Sequence, residues 1–261
     1  MIKSMSLQQL KAELPQAFVE APSQRVSERY SFIPTHQILE DLGKLGWLVR
    51  DVVNPKYKGK ANQAHGKHLV RLFHPDIHIS NGDDKNHIEI ALYNSSNGLS
   101  KFKMEIGVFR FICSNGLVIK TEDFGSIQLR HKGYSFDALK ESIDEMIAKL
   151  PDVAGRINTF VGRELTAEER FKFAQDAYSL RNSGKQATEE EIAQILTPRR
   201  DGDVGNNLWV TFNVIQESIV TGGTLLVDSR GRMKTAKPIK NLDKSLKLNQ
   251  DLWELAEAYA S

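Results

Sequence analysis

The sequence predicts an α+β protein, with an antiparallel β-sheet core over about residues 47–130 and a mostly helical C-terminal half. Two observations carry this. Ile88, Ile90 and Leu92 alternate with polar residues, as do Phe102, Met104, Ile106 and Val108, the period of a half-buried strand. Beyond Gly133 the apolar period lengthens to that of a helix, and strands and helices are segregated rather than alternating. Residues 1–28 read as an N-terminal helix and lead-in. Residues 29–261 read as a single domain, β-rich over 47–133 and helical over 134–261.

Taken in order, Leu7, Leu10 and Leu14 mark a short amphipathic helix that is either loosely docked or used for a partner. Thr35 is placed to cap a helix whose face holds Ile38, Leu39, Leu42 and Leu45, and Trp47–Val53 continues as a strand. The polar, basic stretch 54–66 predicts a mobile loop. In the strand His68–His74, Leu69, Arg71 and Phe73 share one face, and Val70 and Leu72 the other. Asn81-Gly82 and Ser95-Ser96-Asn97-Gly98 are turns, because Asn and Gly tolerate positive φ. Residues 125–133 read as a further segment of the sheet.

In the helical half, Ser135 caps a helix carrying Phe136, Leu139, Ile143, Met146, Ile147 and Leu150, and Pro151 either ends or kinks it. Thr166 with Glu169, and Thr188 with Glu191, form capping boxes for two more helices. An amphipathic helix follows at 207–221 (Leu208, Phe212, Ile215, Ile219) and stops at Gly222-Gly223. Residues 227–241 read as a flexible basic loop, and Asn249 as the cap of a terminal helix.

Composition narrows the function classes. Thirty-five Lys and Arg against 33 Asp and Glu leave a formal charge of +2, so nucleic-acid affinity would need a local patch. One cysteine, Cys113, excludes an internal disulfide and indicates a reducing compartment. The polar N-terminus is no signal peptide, and no apolar run approaches the roughly 20 residues of a membrane helix. A soluble, cytoplasmic protein without membrane contact is expected.

Catalytic signatures are absent from the linear sequence. His65, His68, His74 and His78 cluster without the fixed ligand spacing a metal requires, so no metal site is expected. Cys113 ends an apolar strand and reads as a small buried hydrophobe. Neither GxxxxGK[ST] nor a strand-linked GxGxxG occurs, and no cofactor is expected. A non-enzymatic role follows as the expectation, although a spatial cluster of carboxylates or histidines would escape a linear reading.

The basic residues remain. Lys101, Lys103, Arg110, Arg130 and Lys132 fall on or beside the sheet; Arg199 and Arg200 precede the helix at 207; Arg230, Arg232 and Lys234, followed by Lys237 and Lys240, lie in the late basic stretch. Such side chains contact phosphates without reading bases, and Tyr57, Phe102 and Tyr134 could stack on unpaired bases. Arg110 interrupts an apolar strand, as either a paired buried charge or a side chain aimed at a ligand.

Several motifs resemble one family. ERYSFIPT at 28–35, KHLVRL at 67–72, GVFRFICSNGLV at 107–118, HKG at 131–133, LTPRR at 196–200 and NNLWVTFNVIQE at 206–217 resemble the uncharacterised phage/plasmid-like family called domain of unknown function 932, in the right order over about residues 25 to 260. The family name carries no activity. The resemblance implies a mobile-element context, where neighbouring genes handle single-stranded DNA or counter host defence. A sheet of consecutive antiparallel strands followed by a long helix is also the layout of the annealing proteins of phage recombination. The expectation is a single-stranded DNA-binding protein, assembling as a homo-oligomer that promotes annealing. The alternative is an interaction protein that inhibits or decoys a host defence factor, through Trp253 and Tyr259 or through Leu7, Leu10 and Leu14.

Overall fold

Alternation in the sequence becomes strand pairing in the computed structural model. It describes residues 4–27, 30, 32–58, 60–81, 84–98, 100, 102–110, 117–118, 134–200, 203–227 and 233–261; the side chains at 60–62, 79–81, 84–87, 106–110, 117–118, 225–227 and 233 are outside that description. The protein is α+β, and its chain clusters into two compact units. The first comprises residues 1–80, 85–109 and 121–150; the second comprises 81–84, 110–120 and 151–261.

The first unit is built on strands β1 (Leu48–Val53), β2 (His68–Asn81), β3 (Asp84–Asn94) and β4 (Lys103–Arg110), in the order β1-β2-β3-β4. β1 pairs antiparallel with β2, Leu48 opposite Phe73 and Val53 opposite Leu69, with a bulge between Val49 and Asp51. The connections of β2 to β3 and of β3 to β4 are too short for a crossover, so these neighbours are antiparallel as well. Helices α1 (Leu7–Glu13), α2 (Thr35–Lys44), α3 (Lys60–His65) and α4 (Phe136–Ala148) complete the unit, with a 3₁₀ turn at Pro15–Phe18.

Alternation sorts the strands into two faces. His68, Val70 and Leu72 of β2, with Ile88, Ile90, Leu92 and Asn94 of β3, face α2, and all are buried. Leu10 and Leu14 are also buried, so the N-terminal helix is docked. Two local expectations change. The stretch 54–66 contains α3 and is not a featureless loop. Thr35 is the first residue of α2 rather than its cap, the N-cap being Pro34.

The second unit is organised around α8 (Leu208–Thr221), with α5 (Leu150–Gly162), α6 (Ala167–Arg181), α7 (Glu189–Ile195) and α9 (Leu242–Ala260). Both capping boxes form: Thr166 and Thr188 accept from the amides of Glu169 and Glu191, whose carboxylates accept from the cap amides in return. The expectation of an amphipathic α8 does not hold. Every residue from Leu208 to Val220 is buried, because α6, α7 and α9 all pack on it. An aromatic cluster marks this core: Trp253 of α9 lies 4.9 Å from Phe160 and 5.9 Å, edge-on, from Phe212 between ring centres.

The short strand β5 (Leu117–Val118) packs against α9. Strands β6 (Leu225–Val227) and β7 (Met233–Thr235) pair antiparallel as a hairpin, so the stretch read as a loop contains the end of β6 and the whole of β7. Asn249 lies inside α9, whose cap is Asn241. The segment 125–133 lies outside the described residues.

Candidate nucleic-acid interface

Of the sequence-predicted cations, Lys101, Arg130, Lys132, Arg230 and Arg232 lie outside the described residues. Arg110 ends β4, and its side chain is outside the description too. The remaining four have definite environments.

Lys103 is only partly exposed, and its ammonium pairs with the fully buried carboxylate of Glu105, two residues along the same face of β4. Further charges lie on the side of the sheet away from α2. Arg50 of β1 bonds Glu89 of β3, and Asp51 bridges Arg50 at 2.8 Å and Arg71 at 2.9 Å. Burial pushes the Glu89 carboxyl up to about 8, against the opposing pull of the Arg50 and Arg71 guanidinium groups. Its second oxygen, Oε2, has no hydrogen-bond partner among the described residues. Among the described residues this face therefore sets an acidic side chain beside each basic one, with Glu89 holding its proton near neutral pH, rather than basic side chains alone.

Arg199 and Arg200 sit in the second unit beside α8. Arg199 donates to Thr221 Oγ1 at 3.0 Å and to the carbonyl of Gly222 at 2.6 Å. Arg200 pairs with Glu217 at 2.7 Å. A helix leaves its last carbonyls unsatisfied, and cations near its C-terminus answer that need.

Lys234 of β7 is exposed, and it opens a strip of which the sequence-predicted site includes only the start. Lys234, Lys237, Lys240 and Lys244 are all exposed, and Asp243 is the single acid among residues 234–244. Lys237, Lys240 and Lys244 make no ion pair among the described residues. Lys244 stands in the first turn of α9, where the helix dipole disfavours a cation, so stability alone does not select a lysine there. The density of lysine over so short a run is the signal in the sequence that points to the whole strip.

The aromatic residues expected to stack on bases are engaged elsewhere. Phe102 is buried, and the Tyr57 hydroxyl donates to the Lys67 carbonyl at 2.7 Å. The Tyr134 hydroxyl donates to Asp41 at 2.6 Å. Burial raises the Asp41 carboxyl, but its bonds from Lys44 and Tyr134 prevail and hold it below the usual carboxylate range. Trp253, Leu10 and Leu14, named for a host-protein surface, are buried in their cores; Leu7 is exposed.

One constellation escapes a linear reading altogether. Thr35 Oγ1, His68 Nε2 and Asn94 Nδ2 form a chain of 3.0 Å hydrogen bonds between α2, β2 and β3. It has the outline of a hydroxyl activated by an imidazole. With Thr35 3% and His68 1% exposed, no substrate reaches it, and it fastens α2 to the sheet. Among the described residues no three His, Cys, Asp or Glu converge as metal ligands, and no helix is long and apolar enough to cross a membrane.

Fold and surface together define an α+β protein with a paired-charge sheet in one unit and an exposed lysine strip in the other. The chain belongs to the family described as "Domain of unknown function (DUF932)", which matches residues 22–253. It is 30% identical over 256 residues to UPF0380 protein YafZ of Escherichia coli (strain K12), covering 98% of this chain and 92% of that protein. It is also 30% identical over 255 residues to UPF0380 protein YfjQ of the same strain, covering 98% and 91%. No solved structure matches significantly.

Proposed function

We propose that this protein is a non-enzymatic single-stranded DNA-binding protein of a mobile element, which assembles into a homo-oligomer and promotes annealing. The observation that carries the reading is the strip Lys234–Lys244, where Lys237, Lys240 and Lys244 stand exposed without ionic partners among the described residues. Surface ammonium groups of this kind displace condensed counterions when they meet phosphates, and that release supplies essentially all of the affinity in sequence-independent binding. The late basic stretch also includes Arg230 and Arg232 between β6 and β7, as the sequence places them. The order of antiparallel strands followed by α4 supports the annealing part of the reading by layout alone.

The test is fluorescence anisotropy with a labelled single strand and its duplex over a salt series, with light scattering for assembly. The parent should bind the single strand in a salt-sensitive manner as an oligomer. A combined Lys237→Gln, Lys240→Gln and Lys244→Gln variant should bind more weakly, with the salt slope reduced by about 2, at roughly 0.7 per lost phosphate contact. Absence of single-strand binding at low salt, or an unchanged slope in the variant, would overturn the reading. In the first case a host protein becomes the partner to seek.

A further inference from the structure

The strip begins on a hairpin whose base is tied to α8 at several points. The amide of Gly223 donates to the Ala236 carbonyl at 2.9 Å, Ala236 returns a bond to Thr224 at 2.8 Å, and the Ile239 amide reaches the Val220 carbonyl at 3.1 Å. Two arginines complete the tie. Arg181 of α6 donates to the carbonyls of Ile219 and Lys237, so one guanidinium joins the last turn of α8 to the chain leaving β7. Arg199 holds Thr221 and Gly222.

The glycines make this contact achievable. A Cβ on Gly222 would lie 2.3 Å from the Ala236 carbonyl oxygen, and one on Gly223 would lie 3.2 Å from Arg199 Nη2. Any side chain at Gly222 would drive the two arms of the hairpin base apart. At Lys237 two functions divide within one residue: its carbonyl is held by Arg181, while its ammonium is exposed and makes no ion pair among the described residues.

We infer that Arg181 and Arg199 are positioning residues of the lysine strip, fixing the β6–β7 hairpin on the C-terminus of α8, and do not themselves bind phosphate. This rests on the single-strand-binding reading above. A guanidinium whose fork is committed to protein oxygens in fixed geometry is not free for a phosphate, whereas the ammonium groups of Lys237, Lys240 and Lys244 make no ion pair among the described residues. Arg199 thereby changes role from the clamp expected of it in the sequence to a brace.

The experiment compares Arg181→Lys, Arg199→Lys and Arg199→Gln with Lys237→Gln, each shown to be folded by circular dichroism at the assay temperature. Lysine keeps the charge but cannot bridge two carbonyls with a rigid fork. The arginine variants should lose about fivefold in single-strand affinity, with the parent's salt slope. Lys237→Gln should instead lower the slope by about 0.7. Amide hydrogen exchange over residues 233–239 should accelerate in the arginine variants and not in Lys237→Gln, a readout independent of DNA. If Arg181→Lys and Arg199→Lys bind as the parent does, or if Arg199→Gln lowers the slope as Lys237→Gln does, the positioning role is wrong while the binding reading stands. If the parent binds no single strand, the binding reading fails, and the positioning role with it, whatever the exchange shows.

Discussion

Thr35 Oγ1 lies 3.0 Å from Nε2 of His68, with both residues sealed from solvent. The tautomer follows from the other ring nitrogen. His68 Nδ1 faces the Gly66 carbonyl at 3.1 Å, which can only accept, so Nδ1 carries the proton and Nε2 takes the threonine hydroxyl. The threonine oxygen in turn accepts from Asn94, whose Nδ2 also donates to the Ile33 carbonyl at 3.0 Å. Each donor in the chain finds an acceptor only while the imidazole is neutral.

Acid should therefore attack the first unit through His68. Burial lowers its pKa from 6.5 to about 4, so between those values the unfolded chain binds the extra proton and the folded one does not. Stability from this group is complete above about pH 7 and falls as the pH drops towards 4. The expected loss between pH 7 and pH 5 is about 2 kcal/mol. Urea titrations of the parent and of His68→Gln over that range check it. The variant is less stable at pH 7 but should show a flatter dependence; parallel curves would show that the imidazole is not the titrating group.

Glu89 has the opposite sign. Its folded pKa stands near 8 against an ordinary 4.5, so the folded state holds a proton that the unfolded chain has released. Its contribution is present below about pH 4.5 and is lost as the pH rises through 8. Replacing Glu89 with Gln keeps the shape and an acceptor for Arg50 but removes the titration. The variant should gain on the parent as the pH rises from 5 to 8, by roughly 1 kcal/mol or more. Measuring the parent and Glu89→Gln side by side cancels the His68 contribution, which both carry. A difference that stays constant across the range would mean that Arg50 keeps the carboxylate ionised throughout.

Local signals in the sequence locate most elements, and what they miss is tertiary. Capping boxes at Thr166 and Thr188, the alternation of Ile88, Ile90 and Leu92, and the stop at Gly222 are encoded within a few residues, and they are legible. The all-round burial of α8 is not, because Asn213, Gln216 and Glu217 read as a solvent face until α7 and α9 close over them. Asn249 resembles a cap for the same reason: a polar residue before an apolar run fits a helix start, and only packing shows that it is an interior partner. The roles of Arg199 and Arg200 depend on which carbonyls and carboxylates surround them, a property of the folded chain. The lysine strip is half legible, since its composition is local and its exposure is not.

The misleading polar pair also supplies a test of how α8 and α9 are held together. Gln216 Nε2 donates to Asn249 Oδ1 at 2.8 Å, with both residues buried, and Asn249 Nδ2 donates back to the Ser245 carbonyl at 2.8 Å. Replacing Asn249 with Leu removes the acceptor and strands a buried amide on Gln216, which should cost about 1–3 kcal/mol. Replacing both with Leu removes the stranded group as well, and its cost should fall below the sum of the single changes by roughly 1 kcal/mol or more. Chemical denaturation of the four proteins closes this double-mutant cycle. Additive losses would mean that the two amides do not depend on each other; coupling would show that the specificity of the α8–α9 contact resides in this polar pair, while the aromatic cluster around Trp253 supplies its apolar area.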